Sequence, residues 1–194
     1  MKQRAAKAIS NIFSPYLIGT VLIVIASFES TASALDGLKW MLIMIALSVL
    51  PILLSSAYMV RSSQLDSLFA NVRQQRVKVY VIASVLGAVG CIVLFLLKAP
   101  SLLQALFISG FLASIIFMGI NFRWKISIHA AFVASLVIVP LLIYGLVALV
   151  LLALVPPVAW ARMEQKRHSL AQLICGALLS ASILLLVFYL FDLV

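Results

Sequence analysis

From Ile126 to Ala161 the chain runs for 36 residues without a lysine, arginine, aspartate or glutamate. As one straight helix this stretch would reach about 54 Å, well beyond the ~30 Å hydrocarbon core of a bilayer. It predicts two membrane helices, turning near Tyr144-Gly145, with Pro140 and Pro156-Pro157 bending or shortening them. Further apolar runs of spanning length lie at Ala8–Phe28, Trp40–Val60, Val79–Leu97, Ala99–Phe122 and Ser169–Phe191. Pro15 marks the start of the first, Pro51 should kink the second, and Pro100 falls in the first turn of the fourth. The third and fourth are separated by only a few residues, so they should form an antiparallel hairpin. The expected fold is all-α, a polytopic transmembrane helical bundle of seven spans, or six if one early run lies flat.

Only 10% of the residues are charged, against roughly 25% in a water-soluble domain. That leaves no room for a separate soluble domain. Residues 1–194 are expected to form a single integral membrane domain, with residues 1–62 holding the N-terminal tail and the first two spans. The first apolar run lacks a small-residue cleavage site and reads as an uncleaved membrane segment. Cys91 and Cys175 sit inside apolar runs and read as buried thiols, without disulfide or metal spacing.

The net charge of +9 on such a chain points to lipid phosphates and topology, not to nucleic acid. Lys2, Arg4 and Lys7, beside Ala5, Ala6, Ile9, Ile12 and Phe13, suit either a short helix on an anionic membrane surface or a plain positive flank. With seven spans, the loops after spans two, four and six share the side of the N-terminus. They carry Arg61, Arg73, Arg76, Lys78, Arg123, Lys125, Arg162, Lys166 and Arg167, whereas the opposite side has little beyond Lys39 and Lys98. The positive-inside rule then predicts these loops on the cytoplasmic side of the cell (plasma) membrane.

Three of these basic segments carry candidate chemistry. Arg73 and Arg76 stand three apart, on one face if helical, and two guanidinium forks match phosphate oxygens. The second segment, Arg123-Trp124-Lys125-Ile126-Ser127-Ile128-His129, offers Trp124 as an interfacial anchor and Ser127 as a helix cap. His129 would then lie in the first turn, where backbone N–H groups can meet an anion. The third reads Arg162, five residues, His168, three residues, Gln172. His168 would begin the last helix, with Gln172 one turn on. The Gln172 side-chain oxygen would fix one imidazole nitrogen as a donor and leave the other lone pair to attack. The alternatives for these segments are a topology-setting loop, a snorkelling lysine and a solvated histidine.

These residues resemble the signatures of the type 2 phosphatidic acid phosphatase superfamily. Its third signature, Ser-Arg, five residues, His, three residues, Asp, is similar to Ala161-Arg162 through His168 to Gln172. Its second, Pro-Ser-Gly-His, falls on Ile126-Ser127-Ile128-His129. Its first, Lys, six residues, Arg-Pro, would place its Arg at Arg73, with Asp66 in place of the Lys. The resemblance covers residues 63–194. Isoleucines replace the Pro and Gly around Ser127, and Gln172 replaces the orienting Asp, with Glu164 or Asp66 as the candidate for the missing charge.

The resemblance implies an integral membrane lipid phosphatase that needs no metal and no cofactor. Its substrate would be a phosphorylated lipid: a polyprenyl diphosphate, phosphatidic acid or phosphatidylglycerol phosphate. His168 would be the nucleophile, forming a phosphohistidine, with Gln172 orienting it. His129 would protonate the leaving alkoxide and later activate water. Arg162, Lys125, Ser127 and Arg73 or Arg76 would hold the phosphate oxygens. Independently of the resemblance, five scattered acids cannot make a paired Mg²⁺ site. The departures keep two alternatives in view, a non-catalytic lipid-phosphate binding protein and a lipid phosphotransferase.

Overall fold

The structure, a computed structural model, describes residues Met1–Val194. It is helical throughout, without strands. Six helical runs are long and apolar enough to cross a membrane, which makes the chain an all-α polytopic bundle. By Cα packing it divides into two units: residues 1–22 with 126–194, and residues 23–125.

The first unit opens with α1 (Lys2–Ile12). It stops because Pro15, three residues on, has no N–H to continue the ladder; α2 (Pro15–Glu29) starts there afresh. The uncharged segment after Lys125 forms α7 (Ile128–Tyr144), then a 3₁₀ stretch (Gly145–Leu154), then α8 (Val155–Glu164). These add up to a 37-residue run, about 55 Å if straight. Both of its ends nonetheless reach α1. The His129 ring at the head of α7 meets the Ser10 carbonyl, and Gln165, just past α8, bonds Ser10 and Ala6. The run therefore doubles back. The reversal falls at Gly145, whose φ of 72° and ψ of −157° are open to glycine and closed to residues with a Cβ. Pro156 and Pro157 take the first positions of α8, where a missing N–H costs nothing. Pro140 is buried inside α7.

The final helix, α9 (Leu170–Leu190), packs along α7. Its buried face is Leu173, Gly176, Ser180, Ile183, Leu184 and Val187, at helical three-and-four spacing. Small residues at Gly176 and Ser180 let the backbones approach, as membrane helices need when lipid removes the hydrophobic drive to associate. Ser135 and Ser180 hydroxyls bond across the seam at 2.9 Å.

In the second unit, α3 (Ala34–Leu47) and α4 (Val49–Arg61) form one 28-residue run. It breaks at Ser48, whose φ and ψ of −128° and −83° lie outside the helical range. The ring of Pro51 crowds the carbonyl four residues back, at Leu47, so the predicted kink falls one turn before the proline. The hairpin of α5 (Arg76–Leu96) and α6 (Ser101–Asn121) is closed by Leu97–Pro100. Gly87 and Gly90 leave hollows for Phe111 and Phe107, and Ser84 and Ser114 bond at 2.9 Å. The opposite stripe of α5, Val81, Val85, Val89, Ile92 and Phe95, is exposed, as suits a face turned to acyl chains.

Candidate functional site

Two loop-to-helix junctions of the first unit carry both histidines. At the head of α7, Ser127 caps the helix: its hydroxyl accepts the Ala130 N–H at 3.3 Å, so His129 occupies the first turn. Ser127 and Ile126 are wholly buried. The Ser127 N–H donates to the Gln172 carbonyl of α9 at 3.3 Å. Gly176 makes this approach feasible. A Cβ there would stand 2.5 Å from the Ser127 carbonyl oxygen, so only glycine fits against that backbone.

At the head of α9, Ser169 and Gln172 form a reciprocal capping box. The Gln172 side-chain oxygen accepts the Ser169 N–H at 3.2 Å and also contacts His168 Nδ1 at 3.2 Å. The backbone donor identifies that atom as the oxygen of the amide. The imidazole must then be the donor, with its proton on Nδ1, and the neutral ring carries its lone pair on Nε2. The expected His168–Gln172 interaction is present, and Gln172 shares it with the cap.

Arg162 (2% exposed), His129 (3%) and His168 (7%) are all buried. A buried guanidinium and two buried imidazoles are costly to place in an apolar bundle, and such residues ordinarily mark a functional site. This unit has six lysines and arginines (Lys2, Arg4, Lys7, Arg162, Lys166 and Arg167) against two acids, Glu164 and Asp192, so its field favours an anion. No three histidine, cysteine, aspartate or glutamate side chains of the chain come together.

Ser10 and Gln165 are additions that sequence reasoning did not single out. The His129 Nε2 lies 3.2 Å from the Ser10 carbonyl. The Gln165 amide nitrogen bonds Ser10 Oγ at 2.7 Å, the Ala6 carbonyl at 2.9 Å and the Ala161 carbonyl at 3.0 Å. Gly176 was also missed, although its spacing to Ser180 is the small-residue pattern of close membrane helices.

Within the second unit, Arg73 and Arg76 bind backbone. Arg73 Nη1 donates to the carbonyls of Asn121 (2.9 Å) and Phe122 at the C-terminus of α6, a favourable place for a cation. The Asn121 amide returns a bond to the Arg73 carbonyl at 3.0 Å. Arg76 is buried, and its Nε donates to the Ala70 carbonyl at 2.8 Å. Asp66 accepts the Asn71 N–H at 2.8 Å and so shapes the same loop. Lys125, half-buried, closes this unit.

No protein-family model, curated protein or solved structure matches this chain.

Proposed function

We propose that the protein is an integral membrane lipid phosphatase working through a phosphohistidine on His168. The observation that carries this reading is the bond from His168 Nδ1 to the Gln172 oxygen. It holds a buried imidazole in the tautomer whose Nε2 lone pair can attack phosphorus, in a unit that also buries Arg162, Ser127 and His129. In the first step the His168 Nε2 bond to phosphorus forms as the bond to the lipid oxygen breaks. His129, entering the cycle as the imidazolium, gives that oxygen its proton. In the second step His129 takes a proton from water, whose oxygen displaces Nε2 from phosphorus, and both rings return to their starting states. Arg162 and the Ser127 hydroxyl are assigned to the phosphate oxygens, where fixed charge contributes most to phosphoryl transfer. Arg73 and Arg76 are assigned to bracing their own loop. The substrate class is a phosphate monoester or diphosphate of a lipid, at the plasma membrane.

The test is release of inorganic phosphate from a detergent-solubilised lipid panel, with a strong chelator present and with vanadate as inhibitor. Activity should survive the chelator and fall with vanadate. The wild type should form acid-labile, base-stable label from a radioactive substrate, and His168→Ala none. With an activated substrate, His129→Ala should form the label and retain it. Loss of activity in chelator, restored by Mg²⁺, would remove the metal-free mechanism. A second reading, lipid-phosphate binding without turnover, is favoured by the Gln172 oxygen being shared with the Ser169 cap. Retention of intact lipid without phosphate release would select it, and a new phospholipid product would select a phosphotransferase.

A further inference from the structure

Phe13 N–H still donates to Ile9 at 2.9 Å, but the final turn of α1 leaves the carbonyls of Ser10, Asn11 and Ile12 without their usual i+4 donors. The chain settles one of these locally. Ser14 N–H donates to Asn11 at 3.3 Å. In an unbroken helix Ser14 would have served Ser10. The break before Pro15 redirects it, and the Ser10 carbonyl takes the imidazole Nε2 of His129 instead. A carbonyl oxygen only accepts, so this contact requires the proton of His129 on Nε2. The partial negative charge at a helix C-terminus favours a donor there.

The placement of α1 is itself fixed. Ala6 and Ser10, one turn apart, are its buried stripe. The Gln165 amide nitrogen lies among Ser10 Oγ, the Ala6 carbonyl and the Ala161 carbonyl, tying α1 to α8. Gln3 adds a bond to the Glu164 carbonyl at 3.3 Å.

We infer that α1 is a positioning arm for His129, pinned by Gln165 and acting through the Ser10 carbonyl, and that it holds the two histidines of the chain as opposite tautomers. His168 carries its proton on Nδ1, set by Gln172, and His129 carries its own on Nε2, set by Ser10. The inference rests on the proposed phosphatase reading for its catalytic meaning. With Nε2–H committed to Ser10, proton transfer falls to Nδ1: His129 enters the cycle as the imidazolium, gives its Nδ1 proton to the leaving oxygen and takes one back there from water. Ser10 and Gln165 act through His129 and are positioning residues.

The experiment uses the full chain in detergent, labelled with ¹⁵N in the histidine rings. Only two rings report, and His129→Asn and His168→Asn assign them. At a pH near 8, about 1.5 units above the ordinary imidazole value, the wild type should show one ring protonated on Nε2, His129, and one on Nδ1, His168. Gln165→Met, similar in shape but without a donor, should average the His129 signals between tautomers and leave His168 unchanged. It should lower kcat about tenfold, a fraction of the 10² to 10⁴ that positioned proton transfer contributes, with KM unchanged. The wild-type spectrum decides the tautomers even if the variant fails to fold. The same tautomer in both rings, an averaged His129 in the wild type, or a folded Gln165→Met with its His129 signals unmoved would overturn the inference. Opposite tautomers without phosphate release would support the arm and remove the phosphatase reading. Phosphate release with identical tautomers would remove the arm alone.

Discussion

Gln172 carries two roles at once, and the two can be separated. Its side-chain oxygen holds His168 and also accepts the Ser169 N–H. Its backbone N–H goes to the Ser169 hydroxyl at 3.4 Å. Ser169→Ala removes only that acceptor. It should cost about 1 kcal/mol of stability, the usual value of a cap, and leave phosphate release near the wild-type rate. Gln172→Leu removes the orienting oxygen as well and should lower turnover roughly 100-fold, the order of loss for a reacting group misplaced by about 1 Å. Gln172→Asp keeps an acceptor for Nδ1–H and should retain or raise activity. Thermal midpoints and phosphate release on the three variants check this. Equal rates for Gln172→Leu and wild type would show that Gln172 serves packing and capping only. The His168–Gln172 pair was legible in the sequence because a four-residue spacing on a helix start fixes geometry locally. The Ser10 contact was not, because a backbone carbonyl has no residue code. Its faint signal is Pro15, which frees the carbonyl from its helix.

At the level of the elements, run length between charges was enough to locate the spans, and glycine and proline set their breaks. The hairpin reversal at Gly145 and the Ser127 cap of α7 both lie where local sequence places them. The sequence was silent on where Arg73 and Arg76 would point. A guanidinium fits a carbonyl as readily as a phosphate, and Asn121, Phe122 and Ala70 supply the carbonyls. The seam between α7 and α9 depends most on Gly176. Gly176→Ala puts a methyl 2.5 Å from the Ser127 carbonyl oxygen, with backbone on both sides. It should destabilise by about 1–3 kcal/mol, the range for overpacking, and should reduce activity by shifting the head of α7. Gly119→Ala, where a Cβ meets open space, should be neutral or stabilise by about 0.5–1 kcal/mol. Melting both variants in one detergent makes the comparison. Equal midpoints would show that the seam opens freely.

Across the whole molecule, the distribution of lysine and arginine predicts orientation. The loop after α4 carries Arg61, Arg73, Arg76 and Lys78, and by the positive-inside rule it should face the cytoplasm. Ser63 is exposed in that loop. A Ser63→Cys variant, with Cys91 and Cys175 replaced by alanine, should resist an impermeant thiol reagent applied to intact cells and should label after lysis. Ready labelling of intact cells would place this loop outside.

The histidine-bearing unit is assembled from both ends of the chain, residues 1–22 and 126–194. That has a consequence for biosynthesis. A ribosome that has just completed α6 has delivered α1 to the membrane, but neither His129 nor Gln165, which α1 must meet. The Ser10 carbonyl waits for His129, and the Ser127 backbone waits for Gln172. The pair of histidines therefore stays unassembled until the final helix has been made. A nascent or prematurely terminated chain leaves α1 without His129 and Gln165, the side chains that hold it in the finished unit.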